Sequence, residues 1–472
     1  MILPSLSRRQ FLAGATALGG LALLPIPLRA AGGPVSLLAK ERALTLPGCS
    51  GPSPIWSYGD AWPLELRAPR GEPFEAVLTN ALAEHTTAHW HGVRVPNDMD
   101  GVPYITQDPV QPGDSFTYRF TPPDPGTFFF HPHCDTLNAF GRGMAGVLVV
   151  EDEREAGLFD VDQVVVLKDW RMKPDGSFDS FTTTANAVGA GTFGNLRTAN
   201  AQTPLTINAP PGARVRLRLL NLDVARIPML NLRGTDARII ATDGNACDPM
   251  PLAHWRLGPA MRADIAFVAP AAPGAILNLE DVFASPAVIL ARIVMNGDVP
   301  PASRRSELSQ LKLPAAELPT ADLSRAKELS MTLQAGVADP ALQKWLDQTG
   351  LGPDSLCLSS QILWSINGKS WPGMTHDTKQ PPLFELKSGT SYTIEIFNGS
   401  RFAHPMHLHG HTFRVLGSTK RKIPPHWADT TLVFPDEKVK IAFVAGQPGD
   451  WMMHCHIIEH QDTGMMGYVR VV

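Results

Sequence analysis

Hydrophobic residues recur at every second position in three matching windows. After Gly71, the residues Phe74, Ala76 and Leu78 alternate along a run that ends at Asn80. After Gly212, Val215, Leu217 and Leu219 lead to Asn221. After Gly389, Tyr392, Ile394 and Ile396 lead to Asn398. A period of two marks a strand with one buried face. Three copies, each opened by Gly and closed by Asn, mark an internal repeat. A second alternating strand follows in each copy. Phe116, Tyr118 and Phe120 precede Pro125-Gly126, and Val439, Ile441 and Phe443 precede Pro448-Gly449. Ile265 and Phe267 precede Pro273-Gly274. The pattern predicts an all-β chain of three tandem antiparallel Greek-key β-sandwiches. Helical periodicity is scarce, and Pro340–Leu346 is the one short helix expected in the third unit.

Composition shifts divide the chain into a leader over 1–30, units over 31–152, 153–298 and 329–472, and a linker over 299–328. Glu151-Asp152-Glu153 closes the first unit, and the Pro-punctuated polar stretch Val299–Arg325 suits an extended connection across the surface. In the leader, Ser7-Arg8-Arg9-Gln10-Phe11-Leu12 is a twin-arginine pattern, followed by an apolar run to Leu24 and then Pro25 and Pro27. That run is shorter than the ~20 apolar residues of a membrane span. The expectation is export by the twin-arginine machinery, cleavage near Ala30 and a periplasmic or secreted mature chain without stable membrane insertion.

Charge and cysteine content narrow the partners. With 45 acidic against 41 basic residues in 472, the chain is near neutral, which argues against nucleic acid or an anionic membrane surface. Five Cys over this length exclude a disulfide-dense scaffold. Cys49, Cys134, Cys247 and Cys357 permit three full pairings, and Cys134, beside His133, is also open to being a free buried thiol. The 15 His are the unusual feature, because most of them fall in four tight groups.

His89-Trp90-His91-Gly92 and His131-Pro132-His133 lie in the first unit. His404-Pro405-Met406-His407-Leu408-His409-Gly410 and His454-Cys455-His456, with His460 just after it, occupy the corresponding places in the third. In an extended chain, residues two apart face one side and the residue between faces the other. His454 and His456 therefore face one metal centre while Cys455 faces another. Cys455 with His404, His460 and the thioether of Met465 is the donor set of a blue copper site. Eight imidazoles remain in four His-x-His pairs, too many for one ion and suited to a cluster shared by the first and third units. His85, His254, His376, His411 and His426 fall outside these groups and read as surface or structural, and Trp90 and Trp451 read as packing.

At these residues the chain resembles the three-domain multicopper oxidases: laccases, the bacterial copper-efflux oxidase, the spore-coat laccase and bilirubin oxidase. The resemblance spans essentially the whole mature chain. It implies three cupredoxin-like domains and four coppers. His404, Cys455, His460 and Met465 would hold type 1 copper, and His89 and His407 type 2 copper. His91, His131, His133, His409, His454 and His456 would hold the type 3 pair. Every ligand position is filled, unlike in the family's copper-free cell-division relative. The implied activity is one-electron oxidation of a donor at type 1 copper, coupled to four-electron reduction of O2 to water.

Two departures bear on protons and substrate. Asp100 in Asn97-Asp98-Met99-Asp100-Gly101 matches the acid near type 2 copper in relatives, with Asp98 as the alternative. Where copper-efflux oxidases carry Glu, this chain has Gln461, which cannot carry a proton, leaving Glu459 or Asp462 as substitutes. The positions two and four before His404 are Phe402 and Ser400 rather than Met and Asp, and no Met-rich run occurs in the third unit. The loss of soft donors counts against dedicated Cu(I) oxidation. Phe402, expected beside an exposed His404 edge, favours a small aromatic donor. The alternative is a periplasmic metallo-oxidase of Cu(I) or another low-valent metal ion, serving copper tolerance. Lys420-Arg421-Lys422 reads as a solvated basic loop.

Overall fold

A computed structural model of the chain describes residues 28–29, 33–299, 307–335, 363–371 and 380–472. Nearly all of the 1–30 leader lies outside the described residues, as do the Pro340–Leu346 helix, Cys357 and His376. Leu28–Arg29, within the expected leader, pairs in parallel with Leu66–Arg67.

Strands assemble into six sheets, two for each repeat. In the first repeat, Ser53–Ser57, Val35–Leu44, Phe74–Asn80 and Ser115–Phe120 form one sheet. Leu64–Pro69, Gly146–Glu151, Gly126–His131 and His89–His91 belong to the other. Leu37, Ala76, Leu78, Tyr118, Leu66, Phe128 and Leu148 come from both and share one core. The second and third repeats build separate cores in the same way. A further apolar cluster joins Phe129, Val147 and Val149 of the first unit to Val164, Trp170 and Leu220 of the second, with Ile458 of the third. These are three cupredoxin-like β-sandwiches. The described helices are short, Thr136–Gly141, Thr184–Ala187 and Ile458–Asp462, and none is long and apolar enough to cross a membrane.

The three alternating windows are all strands: Phe74–Asn80, Arg214–Asn221 and Ser391–Asn398. Each is preceded by a Gly in the left-handed region, with φ of 76°, 73° and 72° at Gly71, Gly212 and Gly389, a conformation that costs other residues a steric clash. Each closing Asn makes the same three bonds. Asn80 Nδ2 donates to Glu84 O at 2.8 Å and Val110 O at 2.9 Å, while its Oδ1 accepts from Leu82 N at 3.0 Å. Asn221 does this with Arg226 O, Leu257 O and Asp223 N. Asn398 does it with Phe402 O, Val433 O and Ser400 N. The Asn is thus a clamp that ends the strand and fixes the loop behind it. In the third unit that loop leads to His404.

Two expectations need correction. The sheets are mixed rather than antiparallel. Phe74–Asn80 pairs antiparallel with Ser115–Phe120 but parallel with Val35–Leu44, and the pattern repeats in the other units. The physical reason is that Leu64–Pro69 crosses to the opposite sheet before the chain returns, so the returning strand runs in the original direction. The stretch after Val299 is also more than a surface crossing. Leu308, Leu311 and Leu313 are buried in the core of the middle unit.

Asn221 lies in the unit without histidine groups, so its role can be isolated. Asn221→Ala leaves Arg226 O, Leu257 O and Asp223 N without their side-chain partner. It should destabilise the protein by ~1–3 kcal/mol in chemical denaturation, without changing copper content.

Candidate metal centres

The histidine groups meet because strand register brings them together. His89 pairs across from His131, and His407 pairs across from His454, with Met406 opposite Cys455. The imidazoles of all four groups, that of His460 and the Cys455 thiol are buried. Donor atoms gather in three-residue groups whose atoms lie within 4.8 Å of one another: His91, His131 and His456; His133, His409 and His454; His404, Cys455 and His460; and His89 with His407 and His409. Cys455 belongs to one group and its neighbours His454 and His456 to two others, as the alternation of an extended chain requires. Met465 is fully buried; its carbonyl accepts from Cys455 N at 3.0 Å and its N–H donates to His460 O at 2.8 Å.

The protons on the rings test whether metals fit. His409 Nδ1 donates to Asp100 Oδ2 at 2.8 Å, and His454 Nδ1 donates to Cys455 O at 3.0 Å. Both Nε2 atoms are then bare lone pairs, yet they face each other at 3.1 Å. His131 Nδ1 donates to Pro132 O, and its Nε2 lies 3.4 Å from His456 Nε2. His89 Nδ1 donates to Asp100 O at 2.7 Å and His407 Nδ1 to Asp429 O at 2.9 Å, leaving both Nε2 atoms buried without a partner among the described residues. His91 is reversed: its Nε2 donates to Asp429 Oδ1 at 3.1 Å, leaving Nδ1 as the orphan. Burial pushes the ring pKa of His91, His131, His133, His409, His454 and His456 well below the ordinary 6.5, so the lone pairs stay available. Lone pairs aimed at one another in a closed space call for cations between them.

The thiolate group has the same logic. His460 Nε2 donates to Gly189 O at 2.9 Å, which leaves Nδ1 bare. The three donor atoms form a triangle with edges of 3.1, 3.5 and 3.7 Å. Its centre lies about 2 Å from each corner, a metal–ligand length. Burial pushes the Cys455 thiol well above its ordinary value, so a bound cation has to supply the charge that makes it a thiolate.

Asp100 is fully buried, while Asp98 is exposed. Asp100 meets both His89 and His409. Glu459 is tied to Thr182 Oγ1 and Thr192 Oγ1 at 2.6 Å each and to Thr192 N. Asp462 accepts from Leu137 N. Of the residues read as structural, His411 fits: Nδ1 donates to His409 O and Nε2 accepts from Gly446 N. Trp90 packs among Phe74, Tyr118, Phe120 and Phe130. Among the described residues Cys49, Cys134 and Cys247 form no disulfide with one another, which excludes every full pairing considered from the sequence, and Cys134 is buried.

The expectation of an exposed His404 edge beside Phe402 is corrected. His404 is fully buried, and its Nε2 is bonded to Ser400 Oγ at 2.7 Å. Trp364 covers both imidazoles, with ring centroids 5.0 Å from His404 and 4.2 Å from His460. Its own indole N–H donates to Ala187 O of the middle unit at 2.7 Å. A cavity of about 360 Å³ opens instead beside the backbone of the site, against Ala190, Ala403 and Ile457, each next in sequence to Gly189, His404 or His456.

Sequence reasoning missed Asp429, Arg262 and Asp243. Asp429 contacts His91 and His407 and forms a two-pronged buried ion pair with Arg262 of the middle unit, at 2.8 and 2.5 Å. Although burial opposes its charge, Arg262 holds the Asp429 carboxyl well below the usual range. Asp243 accepts from Arg262 N, Asp429 N and Thr430 N. Gly92, at φ 83°, leaves room for this pair, since a Cβ there would collide with both Arg262 Nη2 and Asp429 Oδ2. The Gly after His89-Trp90-His91 was the only available signal.

Three cupredoxin-like sandwiches with a thiolate–imidazole triangle beside a multi-imidazole cluster define the class as a copper-dependent oxidase. Multicopper oxidase family models match residues 41–155 and 357–472. A multi-copper oxidase structure from Pseudomonas thermotolerans is 35% identical, with TM-score 0.80, covering 95% of this chain and all of the other. Multicopper oxidase MmcO of Mycobacterium tuberculosis is 29% identical, over 87% of this chain and 81% of its own length. Laccase-2 of Fomitopsis schrenkii is 28% identical, over 84% and 81%. The chain belongs to the multicopper oxidase family, and it is an oxidoreductase that uses O2 and four coppers of types 1, 2 and 3.

Asp429→Asn removes the charge that balances buried Arg262 and one orienting contact of His91. Breaking a buried pair costs ~3–5 kcal/mol, so the variant should unfold at lower denaturant. Its copper content should fall below that of wild type while a blue thiolate band persists.

Proposed function

We propose that His404, Cys455, His460 and Met465 hold type 1 copper, His89 and His407 type 2 copper, and His91, His131, His133, His409, His454 and His456 the type 3 pair. Domain boundaries at 152/153 and 298/299, with a connection to 328, accompany this assignment, and the twin-arginine pattern at Arg8-Arg9 supports periplasmic export. The observation that carries the reading is the single run His454-Cys455-His456. Its sulfur enters the triangle and its two flanking imidazoles enter different histidine triads.

Copper bound there supplies one-electron redox chemistry at the thiolate site and O2 reduction at the cluster. The chain's own residues do the rest. Cys455 joins the two centres through covalent backbone. Asp100, the buried carboxylate that takes the His409 Nδ1 proton on Oδ2, is positioned to pass protons toward the cluster. Gln461 cannot do so: its amide donates to Asp462 Oδ1 and its buried Oε1 has no partner among the described residues.

The donor is a small phenolic or other aromatic molecule held in the cavity beside Ala403 and Ile457. Phe193 and Phe283 line it, each under a guanidinium, Arg226 at 4.7 Å and Arg256 at 4.1 Å. Among the described residues no Met lines it, and its one carboxylate, Asp281, is bonded to Arg197. Those are poor features for capturing Cu(I).

Cys455→Ser should abolish the band near ~600 nm expected of a His2Cys copper site while retaining most of the cluster copper. A blue variant would refute the assignment. Phe283→Ala should raise KM for a phenol ~3–10-fold at unchanged kcat, because an aromatic contact contributes ~0.5–1.5 kcal/mol. Cu(I) oxidation should not change. If wild-type holoenzyme oxidises Cu(I) far better than any phenol and Phe283→Ala alters neither, the metallo-oxidase reading replaces this one.

A further inference from the structure

Neither imidazole of the thiolate centre offers an edge to a donor. His404 Nε2 is taken by Ser400 Oγ and His460 Nε2 by Gly189 O, and both rings are fully buried. What closes the His460 edge is a strap of the middle unit, residues 182–192. Its carbonyls at Ala187 and Gly189 accept from Trp364 Nε1 at 2.7 Å and from His460 Nε2 at 2.9 Å. Within itself the strap is one short turn: Ala187 N donates to Thr183 O, and Gly189 N and Gly191 N both donate to Asn186 O. A turn of this length has no core of its own, so contacts outside it decide where it lies.

Those contacts converge on Glu459. The carboxylate belongs to the third unit, directly before His460, and is buried. Its Oε1 accepts from Thr182 Oγ1 and Thr192 Oγ1 at 2.6 Å each, and its Oε2 accepts from Thr192 N. Thr182 and Thr192 are the two feet of the strap, so one side chain ties both ends. Bonds to an ionised acceptor are the strong ones. The fit is also close. Gly191 adopts φ 83°, and a Cβ there would come within 2.5 Å of Ala225 Cβ, 2.9 Å of Glu459 Oε2 and 3.0 Å of Ile457 Cγ2.

We propose that Glu459 is a positioning residue that sets the size of the electron donor: by pinning the strap, it closes the His460 edge to any molecule too large for the cavity beside Ala403 and Ile457. The proposal rests on the type 1 assignment of His460. When the strap is released, Gly189 O leaves His460 and the imidazole edge meets solvent, where a protein-sized reductant can touch it. The same release takes Ala190 and Phe193 out of the wall of the donor cavity, which weakens the hold on a small phenol. Donor selectivity is thus set from the middle unit, through a carboxylate that touches no donor.

Two variants release the strap by different means. Thr182→Val/Thr192→Val removes both hydroxyl donors while keeping side-chain shape and every proposed copper ligand. Gly191→Ala keeps the hydroxyls and wedges the strap away from Glu459. In the first, hydrogen exchange over residues 183–193 of the copper-loaded protein should quicken ~10–100-fold, as expected when bonds to a buried charge are lost. Gly191→Ala should move in the same direction. Anaerobic mixing with ferrocytochrome c reads access to the centre. Each Fe(II) haem gives one electron to one type 1 Cu(II), leaving Fe(III) and Cu(I), and the blue band bleaches. Only the released state is competent with so large a donor, so bleaching should accelerate by the same factor as the exchange. KM for a small phenol should instead rise ~3–10-fold. A carboxylate that merely stabilised the fold would lower the unfolding midpoint without that proportionality. The proposal is overturned if exchange over 183–193 stays as in wild type, or if exchange quickens and bleaching by ferrocytochrome c does not. If both accelerate while the phenol KM is unmoved, the donor-cavity assignment fails and the role of Glu459 stands. A wild type without a blue band would sink the type 1 assignment and this proposal together.

Discussion

Unprotonated nitrogen and sulfur lone pairs converge in a volume closed to water, and the rest of the structure is arranged around that constraint. His409 and His454 bring bare Nε2 atoms to 3.1 Å, and His404 and His460 bring Nδ1 atoms to the same separation. Without cations that arrangement is repulsive and poorly solvated. It can be prepared in advance only by a frame stiff enough to resist the rings turning away. Strands provide that frame. A one-residue slip of the strand Gly449–Cys455 would send His454 to the opposite face, and the register of that strand with both of its neighbours forbids the slip. Most of these rings are held by the nitrogen turned away from the facing lone pairs, through Asp100, Asp429, a backbone carbonyl or, at His404, the Ser400 hydroxyl.

The middle unit supplies no ligand and yet enters both centres. Arg262 and Asp243 fix Asp429 beneath the cluster. On the other side, the segment after Thr182 is held down by Glu459 and lays Gly189 O on His460. A unit relieved of metal binding thus determines ring orientation at one centre and solvent access at the other. Its contribution is position and charge.

The fold was legible because its strands bury one face and repeat, so alternation, Gly and Asn carried the architecture without help. The convergence of the histidine groups was legible for the same reason, since His-x-His in a strand is itself a geometric statement. Parallel pairing was not, because period two is the same whichever way the neighbour runs. Asp429 was not, because Trp427-Ala428-Asp429 looks like any strand end until Arg262, 167 residues away in sequence, is brought against it. The buried His404 edge was missed because its cover, Trp364 with Ala187, is assembled from two units. Local pattern reveals what one strand does; it is silent on pairs formed across domain seams.

The same seams separate the flows that the proposed chemistry needs. On the proposed chemistry, electrons would enter where the middle and third units meet, beside Ala403 and Ile457, and would reach the cluster through Cys455. Asp100 lies on the first-unit side, against His89 and His409, whereas Gln461 lies beside the thiolate centre with an amide that cannot titrate. A charged relay next to the electron entry would shift the electrostatic field there each time it gained or lost a proton. At position 461 itself the side chain is an amide whose charge does not change, so that position adds no proton-dependent field beside the thiolate centre. On this arrangement the loss of an acid at position 461 is compatible with turnover, provided that Asp100 serves the cluster.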